Sequence, residues 1–257
     1  DSIDAGAGVD TLSLALVGSA NIGAFAGFDV FDTAALGTKT LDVDILASKN
    51  TVSEFVASGD IGGTASLVNI GAGVGFRSTA SFTGSVELTQ KVAGALNVTV
   101  DADETATADT AIDTVAATVV ATNATSVNAV FDTAFKAGIA GEIALGDNVA
   151  TLNLTANDAA AVSIVSGGAL ANNVLNLTST DVEAVTITGA SKLTLTTTNA
   201  ADLMNIDALA MTGSLVVSTA AVGDTGTIKL GSGADVVTVA ASSDATGIES
   251  ILSFEKT

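Results

Sequence analysis

Short runs of Val, Leu, Ile and Thr recur about every ten residues along the chain, and in many of them apolar and polar positions alternate. Leu152-Asn153-Leu154-Thr155 and Leu193-Thr194-Leu195-Thr196 show the period of two that marks a strand with one buried face. Comparable runs stand at 11–16, 40–46, 85–89, 96–100, 174–178, 184–188, 214–218 and 235–239, divided by Gly, Asn, Asp and Ser. The pattern predicts an all-β fold.

The runs also echo one another. Gly27-Phe28-Asp29-Val30-Phe31 matches Asp181-Val182-Glu183-Ala184-Val185 and Gly247-Ile248-Glu249-Ser250-Ile251, each an acid framed by apolar positions. Leu67-Val68-Asn69-Ile70 followed by Thr83-Gly84-Ser85-Val86 returns as Leu203-Met204-Asn205-Ile206 followed by Thr212-Gly213-Ser214-Leu215. Degenerate repeats of this kind arise where each unit need only present an apolar face to its neighbours. They predict a β-solenoid, a parallel β-helix-like stack with Gly and Asp turns; β-sandwich domains are the alternative. Two β blocks are expected, at 1–100 and 148–257. Between them, 101–147 reads as an insertion: it opens on a dense Asp, Glu, Ala and Thr stretch, and 114–135 fits an Ala-rich helix or Val/Thr strands equally well.

Composition narrows the function classes. Of the 257 residues 48% are hydrophobic but only 4% aromatic, all of them Phe, so the core must come from many thin aliphatic layers. There is no Cys, His, Pro, Trp or Tyr. The chain therefore has no thiol nucleophile, no histidine base, no disulfide and no zinc site of the usual kind. Ser and Thr lack an activating base, sugar clefts lack their aromatic platforms, and the Gly-rich stretch before Arg77 lacks the Gly-Lys-Ser/Thr of a phosphate loop. An enzyme is not expected. A net charge of -20 repels nucleic acid phosphates and anionic lipid headgroups, leaving divalent cations as the natural counterions. No run of 18 apolar residues is present to form a spanning helix.

One motif carries chemistry. Gly6-Ala7-Gly8-Val9-Asp10 and Gly231-Ser232-Gly233-Ala234-Asp235 both fit Gly-x-Gly-x-Asp followed by a strand, the core of a calcium-binding β-helix nonapeptide. Glycines let the backbone turn tightly and aim carbonyls inward, while the Asp supplies a carboxylate for a hard cation that takes six to eight oxygens. The candidate metal residues are Gly6, Gly8, Asp10, Gly231, Gly233 and Asp235, with Asp224 on what could be a neighbouring turn. A plain glycine turn is the alternative at each copy. The pairs Asp42/Asp44 and Asp29/Asp32 could hold calcium between protomers, though an exposed polar face is the default reading. Asp101-Ala102-Asp103-Glu104-Thr105 with Asp109 imitates half an EF-hand loop but has Ala106 and Ile112 where Gly and Glu are needed, which favours a solvated acidic loop.

These turns, the acid-centred phrases and the Cys-free composition resemble the RTX-type surface-layer proteins of Gram-negative bacteria across both β blocks, though poorly across 101–147. The resemblance implies a structural module secreted by a type I system, folding with Ca2+ outside the cell and self-assembling into a lattice on the bacterial surface. A cell-surface polysaccharide could be engaged through another domain. A repeat module of an RTX adhesin that binds a glycan or protein ligand is the alternative. With no initiating Met at Asp1 and an apolar run at 248–254, a piece of a longer exported protein is expected.

Overall fold

The computed structural model describes residues 2–102, 114–135, 148–169, 171–218, 226–238 and 250–252. In chain order the strands are β1 (Ile3–Asp4), β2 (Thr11–Ser13), β3 (Phe25–Ala26), β4 (Val30–Asp32), β5 (Thr40–Asp42), β6 (Glu54–Ala57), β7 (Gly63–Ile70), β8 (Gly75–Ser78) and the long β9 (Gly84–Val100). The equally long β10 (Thr114–Phe131) follows, then β11 (Val149–Thr155), β12 (Ala161–Ser166), β13 (Asn172–Thr178), β14 (Ala184–Gly189) and β15 (Lys192–Thr198). The last are β16 (Asn205–Met211), β17 (Leu215–Ser218), β18 (Thr227–Lys229), β19 (Val236–Thr238) and β20 (Ser250–Leu252).

Every pairing is parallel, and each strand pairs with the strand one turn away, so the chain winds as a β-solenoid of about 9 turns. Two sheets face each other. The first runs β2, β4, β6, β8, then the second halves of β9 and β10, then β12, β14, β16, β18 and β20. The second runs β5, β7, the first halves of β9 and β10, then β11, β13, β15, β17 and β19. β9 and β10 pass through both sheets and connect them, while β1 and β3 pair separately as a small two-stranded sheet. β10 bends between them at Asn123, which adopts the left-handed conformation (φ 59) where the register shifts.

The alternating pattern is what drives this fold. Parallel strands in register bring the same inward position of each turn together, so apolar columns form along the axis. Leu96, Val127, Val162, Val185, Ile206, Ile228 and Ile251 form one such column. Phe31, Phe55 and Phe76 form another, with the first two rings 6.1 Å apart between centroids. In the second sheet Leu152, Leu175 and Leu195 are stacked and buried. Four per cent of aromatics suffices because a flat two-sheet core is only two side chains thick.

Turn length explains the segment that the pattern left open. Paired residues lie 23 positions apart at Ala161 and Ala184, 20 at Asn172 and Lys192, but 33 at Val86 and Val119 and 35 at Thr114 and Val149. The two longer coils contain 103–113 and 136–147, which lie outside the described residues. Thr114–Phe131, read as helix or strands, is one strand paired on both sides. The run at 40–46 is a strand only through Asp42. The Asp42 side chain caps a one-turn helix, α1 (Val43–Ala47), by accepting the Asp44 N–H.

Candidate functional site

Chemistry in this fold is concentrated at the corners between sheets. At the corner leading into the second sheet, backbones of successive turns approach so closely that only glycine fits. A Cβ on Gly189 would lie 2.2 Å from the Ser166 carbonyl oxygen, one on Gly213 2.4 Å from that of Ser191, and one on Gly233 2.1 Å from that of Gly213. Gly231 is equally tight, 2.1 Å from the Met211 oxygen. The glycines of the second motif copy thus lie against the backbone of the preceding turn, at Met211 and Gly213, and this close approach accounts for them in steric terms.

The acids act as caps between turns. Asp235 Oδ1 accepts the Leu215 N–H of the preceding turn at 2.8 Å, and Asp29 Oδ2 accepts the Asp10 N–H at 3.1 Å. Both acids stand immediately before a strand, β19 or β4, and both hold the N–H of the residue in register with them. Asp60 holds the Thr83 N–H and hydroxyl at 2.7 Å each, Asp32 the Ser58 N–H and hydroxyl, and Asp158 the Asn123 N–H at 2.6 Å. The bonds from Thr83 hold the Asp60 carboxyl below the usual carboxylate range. Arg77 ties three turns together, with Nε on Glu54 at 2.9 Å and Nη1 on Asp101 at 2.6 Å; these acids push its guanidinium pKa higher still. Lys229 binds Asp207 at 3.0 Å and, together with the Leu209 N–H, lowers the Asp207 carboxyl.

The candidate metal residues therefore separate into two places. Gly6 (φ 86) and Gly8 (φ 142) need the left-handed half of backbone space and turn the chain ahead of Asp10. Together with Gly27, Phe28, Asp29 and residues 47–51 they line an open groove of ≈ 560 Å³. A Cβ on Gly8 would sit 3.5 Å from Asp10 Oδ2, and that oxygen is buried and accepts no hydrogen bond. A buried carboxylate oxygen without a donor is costly unless a cation satisfies it, so Asp10 fits a metal. Gly231, Gly233 and Asp235 stand at the other end of the stack, where Asp235 already spends one oxygen on Leu215. Asp224 lies outside the described residues.

Among the described residues no three acidic side chains converge on one point. A calcium ion at Asp10 would draw most of its oxygens from backbone carbonyls and water, with Asp10 and Asp29 the carboxylates at hand. The other pairs are engaged separately: Asp42 caps α1 while Asp44 binds Lys91, and Asp29 and Asp32 hold different N–H groups. Of the EF-hand-like stretch, Asp101 pairs with Arg77 and 103–113 lie outside the described residues. Sequence reasoning missed Asp60 and Asp158 and, for Asp32, the capping role; the available signal was an acid at or just before a strand boundary. No helix among the described residues is long and apolar enough to cross a membrane. No protein-family model, curated protein or solved structure matches the chain.

Proposed function

We propose that the chain is a structural module of an exported bacterial surface-layer protein that self-assembles into a calcium-dependent lattice on the cell surface. The observation that carries this reading is the buried, unpartnered Asp10 Oδ2 in a glycine turn beside Asp29, within a chain of net charge -20. Calcium bound there would neutralise carboxylate repulsion where the first turns stack, and bound between copies it would bridge acidic corners. The stacked fold suits the role mechanically: parallel turns give a stiff body whose corners and faces repeat along its length.

The test is the sedimenting mass and melting temperature of the protein in calcium and in chelator. The reading expects large assemblies and a higher melting temperature in calcium only. A mass and a melting temperature indifferent to calcium would overturn it. A calcium-stabilised monomer that binds a glycan or protein would move the assignment to an adhesin module.

A further inference from the structure

The outer face of the second sheet carries a polar column with no interruption. In register, or in line with a paired neighbour, stand Thr64, Ser85, Thr118, Asn153, Asn176, Thr196, Ser218 and Thr238, one per turn. All are at least partly exposed. Neighbours in the column bond to one another, Asn176 Nδ2 to Asn153 Oδ1 at 2.8 Å and Asn153 Nδ2 to Thr118 Oγ1 at 3.3 Å, which fixes the side chains in a regular array.

The face is also electrically unusual for this chain. From 114–122 of β10 through β11, β13, β15, β17 and β19 the strands contain no Asp or Glu, and Lys192 is their one charge. The opposite sheet presents Glu54, Arg77, Asp207 and Lys229. No helix among the described residues packs on the second sheet beyond α1 at its N-terminal end.

We infer that this face is where two copies of the chain pair, ladder against ladder. Two bodies of charge -20 repel least where carboxylates are missing, and beyond Glu87 of β9 the strands of this face from β10 to β19 carry none. A second copy has the same rise per turn by construction, so its rungs match without slipping, as identical side-chain ladders do in dry zippers. Six rungs from Thr118 to Thr238, about 4.8 Å apart on strands about 10 to 30 Å long, give about 600 Å² per copy. Over the pair that is about 1,200 Å², the low end for specific stable interfaces. The inference rests on the self-assembly part of the proposed function and not on its calcium part.

The experiment is therefore run in chelator at high salt, which screens the overall repulsion. Sedimentation equilibrium is compared for the native chain, for T118E/T196E on the column, and for T186E on the exposed face of β14 in the opposite sheet. Circular dichroism verifies that each variant keeps its strand signal. The native chain and T186E are expected to reach twice the 24.9 kDa chain mass as concentration rises, and T118E/T196E to remain at one. A native chain that stays monomeric, or a T118E/T196E variant that still dimerises, overturns the inference. Either result leaves the calcium-dependent assembly to be judged on its own test. Should T118E/T196E lose its strand signal, T196E alone, on an exposed position, decides between the same two outcomes.

Discussion

Replacing Gly189 with Ala tests the stacking of the corners most sharply. Gly189 has φ 113, and its added Cβ would lie 2.2 Å from the Ser166 oxygen and 2.6 Å from its carbon, both backbone atoms. Restoring an ordinary contact requires the turns to separate by more than about 1 Å, which breaks the local ladder. Three hydrogen bonds tie these two turns: Ser191 N–H to the Ser166 oxygen at 3.0 Å, the Ser166 hydroxyl to the Ser191 oxygen at 3.0 Å, and the Ser191 hydroxyl to the Gly168 oxygen at 2.8 Å. At about 1 kcal/mol each they are worth about 3 kcal/mol, and a left-handed Ala adds about 1 kcal/mol. Gly73→Ala is the control, because Gly73 has φ 82 but nothing within 4 Å of its added Cβ. Both variants gain equally from a stiffer unfolded chain, so that contribution cancels in the comparison. Calorimetry should show a fall of about 2–4 °C for Gly73→Ala and about 8–16 °C for Gly189→Ala. Equal falls would refute close backbone stacking at this corner.

Two further expectations concern the charges. Arg77→Met should lower stability by about 1 kcal/mol, a modest figure because the side chain is 39% exposed, and molar salt should shrink the loss; urea midpoints at low and high salt measure it. Asp207 has a folded-state pKa below its ordinary value, chiefly through the Lys229 bond. Its contribution is present above the unfolded pKa near 3.8 and fades as pH falls through the lower folded one. Asp207→Asn should accordingly be less stable than the native chain at neutral pH and converge with it in acid. A gap that stays constant from pH 7 to about pH 2 would show that the Lys229 pair contributes nothing.

The strand pattern was legible because inward positions are nearly all apolar while most outward ones are polar, as Leu152, Asn153 and Leu154 illustrate. The acid-centred phrases were legible too: Asp29 and Glu183 both precede strands of the first sheet and place Phe31 and Val185 inward. Thr83-Gly84-Ser85 and Thr212-Gly213-Ser214 both enter the second sheet at a close-packed glycine. The companion phrases at 67–70 and 203–206 occupy different sheets, so that half of the repeat is a likeness of composition. Strand β10 stayed ambiguous because Val and Ala fill both inward positions, such as Val115 and Ala117, and outward ones, such as Ala116 and Val120, which blurs the alternation. The cap acids were hidden for a different reason. A cap acts across a turn whose length varies from 19 residues between Thr11 and Val30 to 35 between Ser126 and Ala161, so its partner cannot be found without the register.

The proposed function depends above all on calcium binding at Asp10. Scanning calorimetry of the native chain and Asp10→Asn, each in chelator and in about 10 mM calcium, addresses it in one series. For dissociation constants of about 0.1 to 1 mM, ordinary for extracellular sites, binding contributes about 1.4–2.7 kcal/mol, or about 3–10 °C. The native chain is predicted to melt higher in calcium by that amount, and Asp10→Asn to lose most of the rise. Equal melting temperatures for the native chain in calcium and in chelator would contradict the account.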